Sequence, residues 1–211
     1  MNMVLWISGH RTEFYRALGQ HLLMCGASMA FALVLGLSLA ILIVNRRGLA
    51  FSVVNGVSAL RALPSLAILA IMMPLLGIGL WPSIVALTVL ALPPILLNAY
   101  VGLRDVDPDV VEAAIGLGMT RGQVLRRVRL SLAAPAMFAG ARTAFVQVLA
   151  GATLAPFIGG GGLGDFIVTG ISIMDISRML VGAVPIALLA LGSELALSLA
   201  EKWLFRKRVG T

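Results

Sequence analysis

Long runs of apolar residues without any charge dominate this chain. They cover residues 22–44, 62–103, 143–164 and 179–193. A helix needs roughly 20 apolar residues to cross a membrane, so runs of this kind predict spanning helices. The second run is long enough for two spans, and the glycines and proline of residues 77–83 divide it. The pattern therefore predicts five spans, at about 22–44, 58–76, 83–103, 133–157 and 177–200.

The distribution of Lys and Arg predicts how these helices are oriented. Eleven basic residues fall on one side of the predicted spans: Arg46, Arg47, Arg104, Arg121, Arg126, Arg127, Arg129, Lys202, Arg206, Lys207 and Arg208. The other side has three: Arg11, Arg16 and Arg178. Because short cytoplasmic loops carry the excess of basic residues, we expect the N-terminus outside and the C-terminus in the cytoplasm.

Composition supports the same class of protein. The chain is 60% hydrophobic and 12% charged, against about 25% charged residues in a typical soluble domain. We therefore expect an all-α integral membrane protein in which residues 1–211 form one transmembrane domain. The net charge of +7 is explained by topology, so a nucleic-acid partner is not expected. The first apolar run follows charged residues without a cleavage signal, which predicts a retained span.

The residues needed for enzyme chemistry are not found in a suitable arrangement. The two histidines, His10 and His21, both precede the first predicted span, and Cys25 is the only cysteine. No catalytic residue and no metal site are therefore expected. Gly159, Gly161 and Gly164 fit the spacing GxGxxG, but that nucleotide fingerprint requires a preceding strand, whereas a spanning helix is predicted here. We expect no cofactor in this chain.

The polar loop at 104–132 has clear helix-capping signals. Asp107 is a favourable N-cap and Pro108 a favourable first residue, which predicts a short helix over 108–117. Gly118 can end that helix in the left-handed conformation. Thr120 and Gln123 have the spacing of a capping box and predict the start of a second helix.

In the second helix an apolar face is predicted. Val124, Leu125, Val128 and Leu132 lie on it at helical spacing, and the arginines point elsewhere. These features alone leave two interpretations open: a rigid projection that docks into a groove of a soluble partner, or a basic loop that lies on anionic lipid.

A resemblance favours the first interpretation. Glu112, Ala113, Ala114 and Gly118, followed by Val128, Leu130 and Pro135, resemble the EAA loop of the permease subunits of binding-protein-dependent ABC importers. In that family the loop couples the permease to a dimer of ATP-binding subunits, which hold ATP and magnesium. The resemblance thus implies ATPase-coupling roles for six residues: Glu112, Ala113, Ala114, Gly118, Arg121 and Val128. Ser131 stands where the family usually has proline, which predicts a straighter connection to the fourth span.

The resemblance extends from about Val54 to the end of the chain. The segments 61–69, 75–87, 92–120 and 157–167 are similar to the osmoprotectant branch, which imports glycine betaine, choline and carnitine. It implies a type I importer permease in the bacterial inner membrane that has no enzymatic activity. It also implies an extracytoplasmic substrate-binding protein and a second permease, either identical or paralogous. A methionine-type importer is the main alternative, and a scaffold subunit, channel or secondary transporter is less favoured.

The fourth predicted span carries a stripe of small and polar residues. Gly140, Thr143, Gln147 and Gly151 recur at i, i+3, i+7 and i+11. Such a face either packs closely against another helix or borders a substrate pathway. Both interpretations remain open at this point.

Two further features are expected to matter. Arg142 and Glu194 lie at similar predicted depths, so we expect them to form an intramembrane ion pair, with Arg61 as the competing partner. This pair either ties two helices together or acts as a gate latch. On the outer side, the glycines Gly159, Gly161, Gly162 and Gly164 are expected to break the helix and to form an outer gate or a docking surface, or else only a flexible connector.

Overall fold

The computed structural model describes residues 3–205, and over that range the chain is helical with no strand. The α-helices are α1 (Met3–Gly9), α2 (Arg11–Ile43), α3 (Arg47–Leu60), α4 (Ser65–Leu76), α5 (Leu80–Arg104), α6 (Pro108–Gly116), α7 (Arg121–Gln123), α8 (Leu130–Ala152), α9 (Gly164–Ser172) and α10 (Ile176–Phe205). A π-helix occupies Val124–Arg129 and a 3₁₀-helix Ala155–Ile158. Arg206, Lys207 and Arg208, which entered the orientation argument, lie outside the described residues.

In the described part, four segments are long and apolar enough to cross a membrane: α2, α5, residues 121–152 and α10. The pair α3 and α4 is a fifth candidate, but the two helices meet at an angle of 101°. The all-helical membrane architecture is thus confirmed. The number of spans and the sidedness of the termini stay predictions.

The prediction of one continuous helix over 58–76 is wrong. α3 ends at Leu60, and α4 begins at Ser65 after Pro64, whose φ of −59° and ψ of 136° are not helical. Proline lacks an N–H and disfavours helical geometry in the residue before it, which favours a break of the helix at this point. α4 has only 12 residues, about 18 Å of helix, which is short for a 30 Å hydrocarbon layer.

Other boundaries differ from the predicted ones by up to about three turns. α2 begins at Arg11 instead of residue 22, because backbone hydrogen bonding continues into the polar residues that precede the apolar run. α8 ends at Ala152 instead of residue 157, and the chain turns into the 3₁₀-helix, which contains Pro156. Hydropathy locates the apolar part of a helix, whereas hydrogen bonding sets its ends.

The main core lies where α2, α5 and α8 pack together. Its fully buried members include Met24, Leu87, Ile95 and Val148. At the end of the molecule far from the polar loop, α1, α9 and α10 form a second cluster around Phe166 and Val181. The chain between α5 and α8 projects beyond the opposite end of this bundle.

Candidate functional site

The first helix of the polar loop is capped as the sequence predicts. Asp107 is its N-cap, and the Asp107 Oδ1 accepts a hydrogen bond from the Asp109 N–H at 2.9 Å. Pro108 is the first helical residue. The predicted helix over 108–117 is therefore confirmed to within one residue, since α6 ends at Gly116 and Leu117 is its C-cap.

Gly118 terminates α6 in the left-handed conformation, with φ of +83°. The Met119 N–H donates to the Ala114 carbonyl at 3.1 Å, and the Gly118 N–H donates to the Ile115 carbonyl at 2.9 Å. These two bonds form a Schellman motif, which fixes the direction in which the chain leaves the helix. The motif makes the tip of the loop a defined structure and not a random connector.

The predicted capping box that follows is also confirmed. The Thr120 N–H donates to Gln123 Oε1 at 2.8 Å, and the Gln123 N–H donates to Thr120 Oγ1 at 3.4 Å. Both ends of the turn between α6 and α7 are thereby held by local hydrogen bonds.

The six predicted coupling residues occupy different positions on this projection. Glu112, Ala113, Gly118 and Arg121 are exposed, Val128 is half-buried, and Ala114 is buried against the rest of the loop. Two large apolar residues of this loop, Ile115 and Leu117, are 53% and 82% exposed and were not predicted to take part in coupling. A pair of apolar residues within a polar loop is the signal that could have identified them.

The projection continues into the fourth predicted span through the π-helix Val124–Arg129. There the Leu130 N–H donates to the Leu125 carbonyl, five residues back. An uninterrupted α-helix would place Arg126 one turn before Leu130, on the side that packs against α5. The wider turn brings Leu125 to that side, where it packs with Leu130, and leaves Arg126 exposed. The π-helix thus keeps a charged side chain out of the helix interface.

This extra residue corrects one prediction. Leu132 does not share the buried face with Val124, because the π-helix rotates all later positions; Leu132 is 50% exposed, whereas Val124 is 5% exposed. The second loop helix and the fourth span also form one continuous helical segment of 32 residues, Arg121–Ala152, instead of two. Ser131 lies within it, consistent with the expected straight connection.

The residues of the α8 stripe lie in two different environments. A methyl group at Gly140 would lie 2.6 Å from the Pro94 carbonyl oxygen, and one at Gly151 would lie 2.7 Å from Leu90. The two glycines therefore allow α8 to approach α5 closely. Thr143 and Gln147 are exposed on the surface of the subunit. Their location on a substrate pathway stays a prediction.

Arg142 forms the predicted ion pair with Glu194, with 3.3 Å between Nε and Oε1. A second acid was missed: Arg142 Nη1 donates to Glu201 Oε2 at 2.6 Å. Glu194 and Glu201 are seven residues apart, two turns along the same face of α10, so one guanidinium reaches both. Within the described residues Arg61 forms no ion pair with Glu194.

The outer glycines form a tight turn after the 3₁₀-helix. Gly159, Gly161 and Gly162 have φ of +74°, +72° and +92°, which confirms the predicted break. Gly164 begins α9. The preceding element is helical, so the structural context of a dinucleotide fingerprint is lacking at this position.

Contacts with two other helices hold this turn in place. The Gln20 side chain donates from Nε2 to the Gly160 carbonyl at 3.0 Å, and the Gly79 N–H donates to the Ile158 carbonyl at 2.7 Å. His21, which was expected before the first span, lies within α2 and is completely buried next to Gly162. These attachments link the turn to α2 and to the start of α5. A role as an outer gate stays a prediction.

A cavity of about 350 Å³ lies beside the turn. Its lining carries both signs of charge, from Glu13, Arg16, Asp165 and Arg178. Arg178 Nη2 also lies 3.9 Å from Glu13 Oε1. Partial burial raises the pKa of the Asp165 carboxyl above its usual value, although the side chain still reaches solvent.

Comparison with known proteins gives a consistent result. Residues 32–208 match the family described as binding-protein-dependent transport system inner membrane component. A choline transport system permease protein of Bacillus subtilis is 38% identical over 87% of this chain and 84% of its own length. A carnitine transport permease protein of Listeria monocytogenes is 40% identical over 90% of this chain and 87% of its own.

Solved structures share the fold. The MetNI methionine ABC transporter in an inward-facing conformation matches with a TM-score of 0.80 and 25% identity, over 92% of this chain and 97% of that chain. An amino acid ABC transporter matches with a TM-score of 0.77 at 20% identity, over 94% and 97% of the two chains.

Proposed function

This chain belongs to the family of inner membrane components of binding-protein-dependent transport systems, and we propose that it is the permease subunit of an ATP-driven importer for quaternary ammonium osmoprotectants. Its substrate would be glycine betaine, choline, carnitine or a related compound. The chain itself would perform no chemistry, and ATP and magnesium would be held by a partner ATPase.

The observation that carries the substrate proposal is the similarity to permeases named for these solutes. Besides the choline and carnitine permeases, a glycine betaine/carnitine/choline transport system permease protein of Bacillus subtilis is 36% identical over 95% of this chain. Similarity at this level over nearly the whole length supports a shared class of substrate. The methionine transporter, at 25% identity, supports the common fold more than a common substrate.

The coupling proposal is supported by the shape of the polar loop. α6 and α7 form a capped projection with Leu117 exposed at its tip, and the projection is continuous with α8. When two ATPase subunits close on ATP, grooves that hold two such projections would move toward each other. The motion would pass directly into α8, because no break separates it from the loop.

Transport also requires partners that complete the pathway. One bundle of this size encloses no route for a solute, so we propose a second permease, identical or paralogous, with Thr143 and Gln147 at the shared pathway. A substrate-binding protein would deliver the solute at the glycine turn. The mixed charges of the cavity beside that turn are suited to contacts with polar lobes of such a partner.

The direct test is uptake by the reconstituted complex with its ATPase and binding protein. Radiolabelled choline, carnitine, glycine betaine and methionine are supplied separately, with and without ATP. We expect ATP-dependent uptake of at least one quaternary ammonium compound and none of methionine. Uptake of methionine alone would replace this proposal with the methionine-type alternative.

The binding protein offers an independent test of the substrate class. A quaternary ammonium site is expected to surround the cation with aromatic side chains. Calorimetry with the same four solutes should show binding of the quaternary ammonium compounds only. A binding protein that lacks such a cage and takes none of them would remove the basis for the osmoprotectant assignment.

A further inference from the structure

A large cavity lies between α3, the end of α5 and the π-helix, at the same end of the bundle as the polar loop. Its volume is about 740 Å³, and its polar lining comes from Asn45, Arg47, Asn55, Tyr100, Arg104 and Arg129. None of the proposed transport residues lines it. The cavity is large enough for the polar part of a lipid.

All the charged residues that line this cavity are basic. Arg47, Arg104 and Arg129 line it, and no acid does. In the described part of the chain, none of these three arginines forms an ion pair. Arg129 has only a neutral partner, since its Nη1 donates to Asn45 Oδ1 at 3.1 Å. Three guanidinium groups around one cavity repel one another unless an anion lies between them.

A helix terminus adds to this positive potential. α3 begins at Arg47, on the cavity wall, and its N-cap residue Arg46 makes no side-chain capping bond. The free N–H groups of the first turn and the helix dipole favour an anion at this point. The hydroxyl of Tyr100 and the amide of Asn55 supply further groups that can bind phosphate oxygens.

Part of the cavity lining is apolar, which favours a lipid over a free anion as the ligand. Phe51 lines the cavity and is 73% exposed. Val44 and Val54 also line the cavity and are half-buried. Basic pockets between membrane helices bind the head groups of anionic phospholipids.

We propose that this cavity binds the phosphate head group of an anionic phospholipid, with Arg47, Arg104 and Arg129 as its ligands. Arg129 and Asn45 also line a second cavity of about 290 Å³ that extends to Val111 and Ile115 of α6. Because Arg129 lines both cavities, a head group bound to it lies beside the wall that supports α6 and α7, the proposed coupling projection. The lipid fastens α3 and α5 to the start of the 121–152 segment.

The test measures lipid binding to the intact protein in detergent by native mass spectrometry. The probes are phosphatidylglycerol, phosphatidylcholine with matched acyl chains, and inorganic phosphate. We expect phosphatidylglycerol to bind at least tenfold more tightly than phosphatidylcholine, and millimolar phosphate to displace it poorly. Equal binding of the two lipids would overturn the proposal, and strong displacement by phosphate would show a free-anion site instead.

Variants locate the binding site. The double variant Arg47→Gln with Arg104→Gln should lose the preference for phosphatidylglycerol by about tenfold. Arg126→Gln with Arg127→Gln is the matched control, because it removes the same charge from exposed arginines outside the cavity; less than a twofold change is expected. Equal losses in both pairs would mean diffuse attraction to the membrane surface and would overturn the proposal.

A final measurement distinguishes a lipid ligand from a protein partner. If the arginines bind the ATPase instead, the cavity variants will weaken its association and leave the lipid preference unchanged, which would also overturn the proposal. Because lipid binding is measured without substrate, its outcome does not depend on which solute the importer carries.

Discussion

Arg142 on α8 donates a hydrogen bond to Glu201 on α10 at 2.6 Å, while Glu194 lies 3.3 Å from the same guanidinium. One cation thus joins the helix continuous with the coupling projection to two turns of the last helix. Because charged hydrogen bonds of this kind are worth roughly 1.5–3 kcal/mol, the cluster is a substantial contact between the two helices.

We expect Arg142→Gln to destabilise the protein by roughly 1–3 kcal/mol, since it leaves two acids without a partner. Glu201→Gln should cost more than Glu194→Gln, because Glu201 makes the shorter contact and is less exposed, 27% against 44%. Thermal unfolding in detergent measures the order. Lys202→Gln, one residue along the same helix, is the control. A larger loss from Glu194→Gln would contradict the assignment, and the swap Arg142→Glu with Glu201→Arg should recover part of the stability.

The contact between α8 and α5 at Gly140 predicts a second difference. Gly140→Ala would place a methyl group 2.6 Å from the Pro94 carbonyl oxygen and 2.7 Å from Asn98 Cβ, and backbone cannot move aside easily. A loss of roughly 1–3 kcal/mol is expected. Gly192→Ala on α10 meets nothing within 4 Å and should be neutral or stabilising. Equal melting temperatures for the two variants would show that α8 can shift without cost.

Whether Gln147 lines the substrate pathway can be tested by the reactivity of a cysteine at that position. In a background in which the buried Cys25 is replaced by alanine, Gln147→Cys should react with a small polar thiol reagent at a rate that changes between the ATP-bound and nucleotide-free complex. Val148→Cys is the control, because Val148 is completely buried. Complete protection of position 147 in both states would exclude it from the pathway.

The exposed tip of the coupling projection predicts an uncoupled variant. Leu117→Asp places a charge where a leucine that is 82% exposed would dock, so ATP-driven uptake should fall at least tenfold while the unfolding temperature is retained. Leu204→Asp makes the same change at an exposed leucine in the last turn of α10 and should transport normally. Normal uptake by Leu117→Asp would show that the tip does not contact the ATPase.

The raised pKa of Asp165 predicts a pH dependence of stability. Burial raises that pKa above 3.8, so the native state keeps the proton to higher pH than the unfolded chain does. Stability is therefore lost as the pH rises above the unfolded pKa, and Asp165→Asn should be more stable than the parent protein at pH 7. The difference should shrink as the pH falls toward 3.8. Melting temperatures at pH 4, 5 and 7 measure it, with Asp105→Asn as the control for loss of a charge. A difference that grows on acidification would contradict the sign.

The helix-capping features were predicted correctly because each depends only on residues close to it in the sequence. The Asp107 cap, the Gly118 turn and the Thr120 capping box each depend on residues within one turn, and all three are present. The Arg142–Glu194 pair followed from depth alone, since an unpaired charge in the membrane is costly.

The errors have equally physical causes. The predicted second span ran through Pro64 because its hydropathy is continuous, although proline breaks backbone hydrogen bonding there. The last predicted span ended at about residue 200, whereas α10 continues to Phe205. The π-helix was missed because an α-helical period was assumed throughout. That period places Arg126 one turn before Leu130 on the packed face. The apolar residue that packs with Leu130 is instead Leu125, five residues back, and this spacing is the signal that could have revealed the π-helix.

The continuity of residues 121–152 has a mechanical consequence. Thirty-two residues at 1.5 Å each make a rod of roughly 48 Å, longer than the hydrocarbon layer of about 30 Å. If this lever arm pivots at its middle, a tilt of about 5° displaces each end by roughly 2 Å, in opposite directions. In the proposed complex, a small inward movement of the ATPases would thus appear as an outward movement beside the glycine turn.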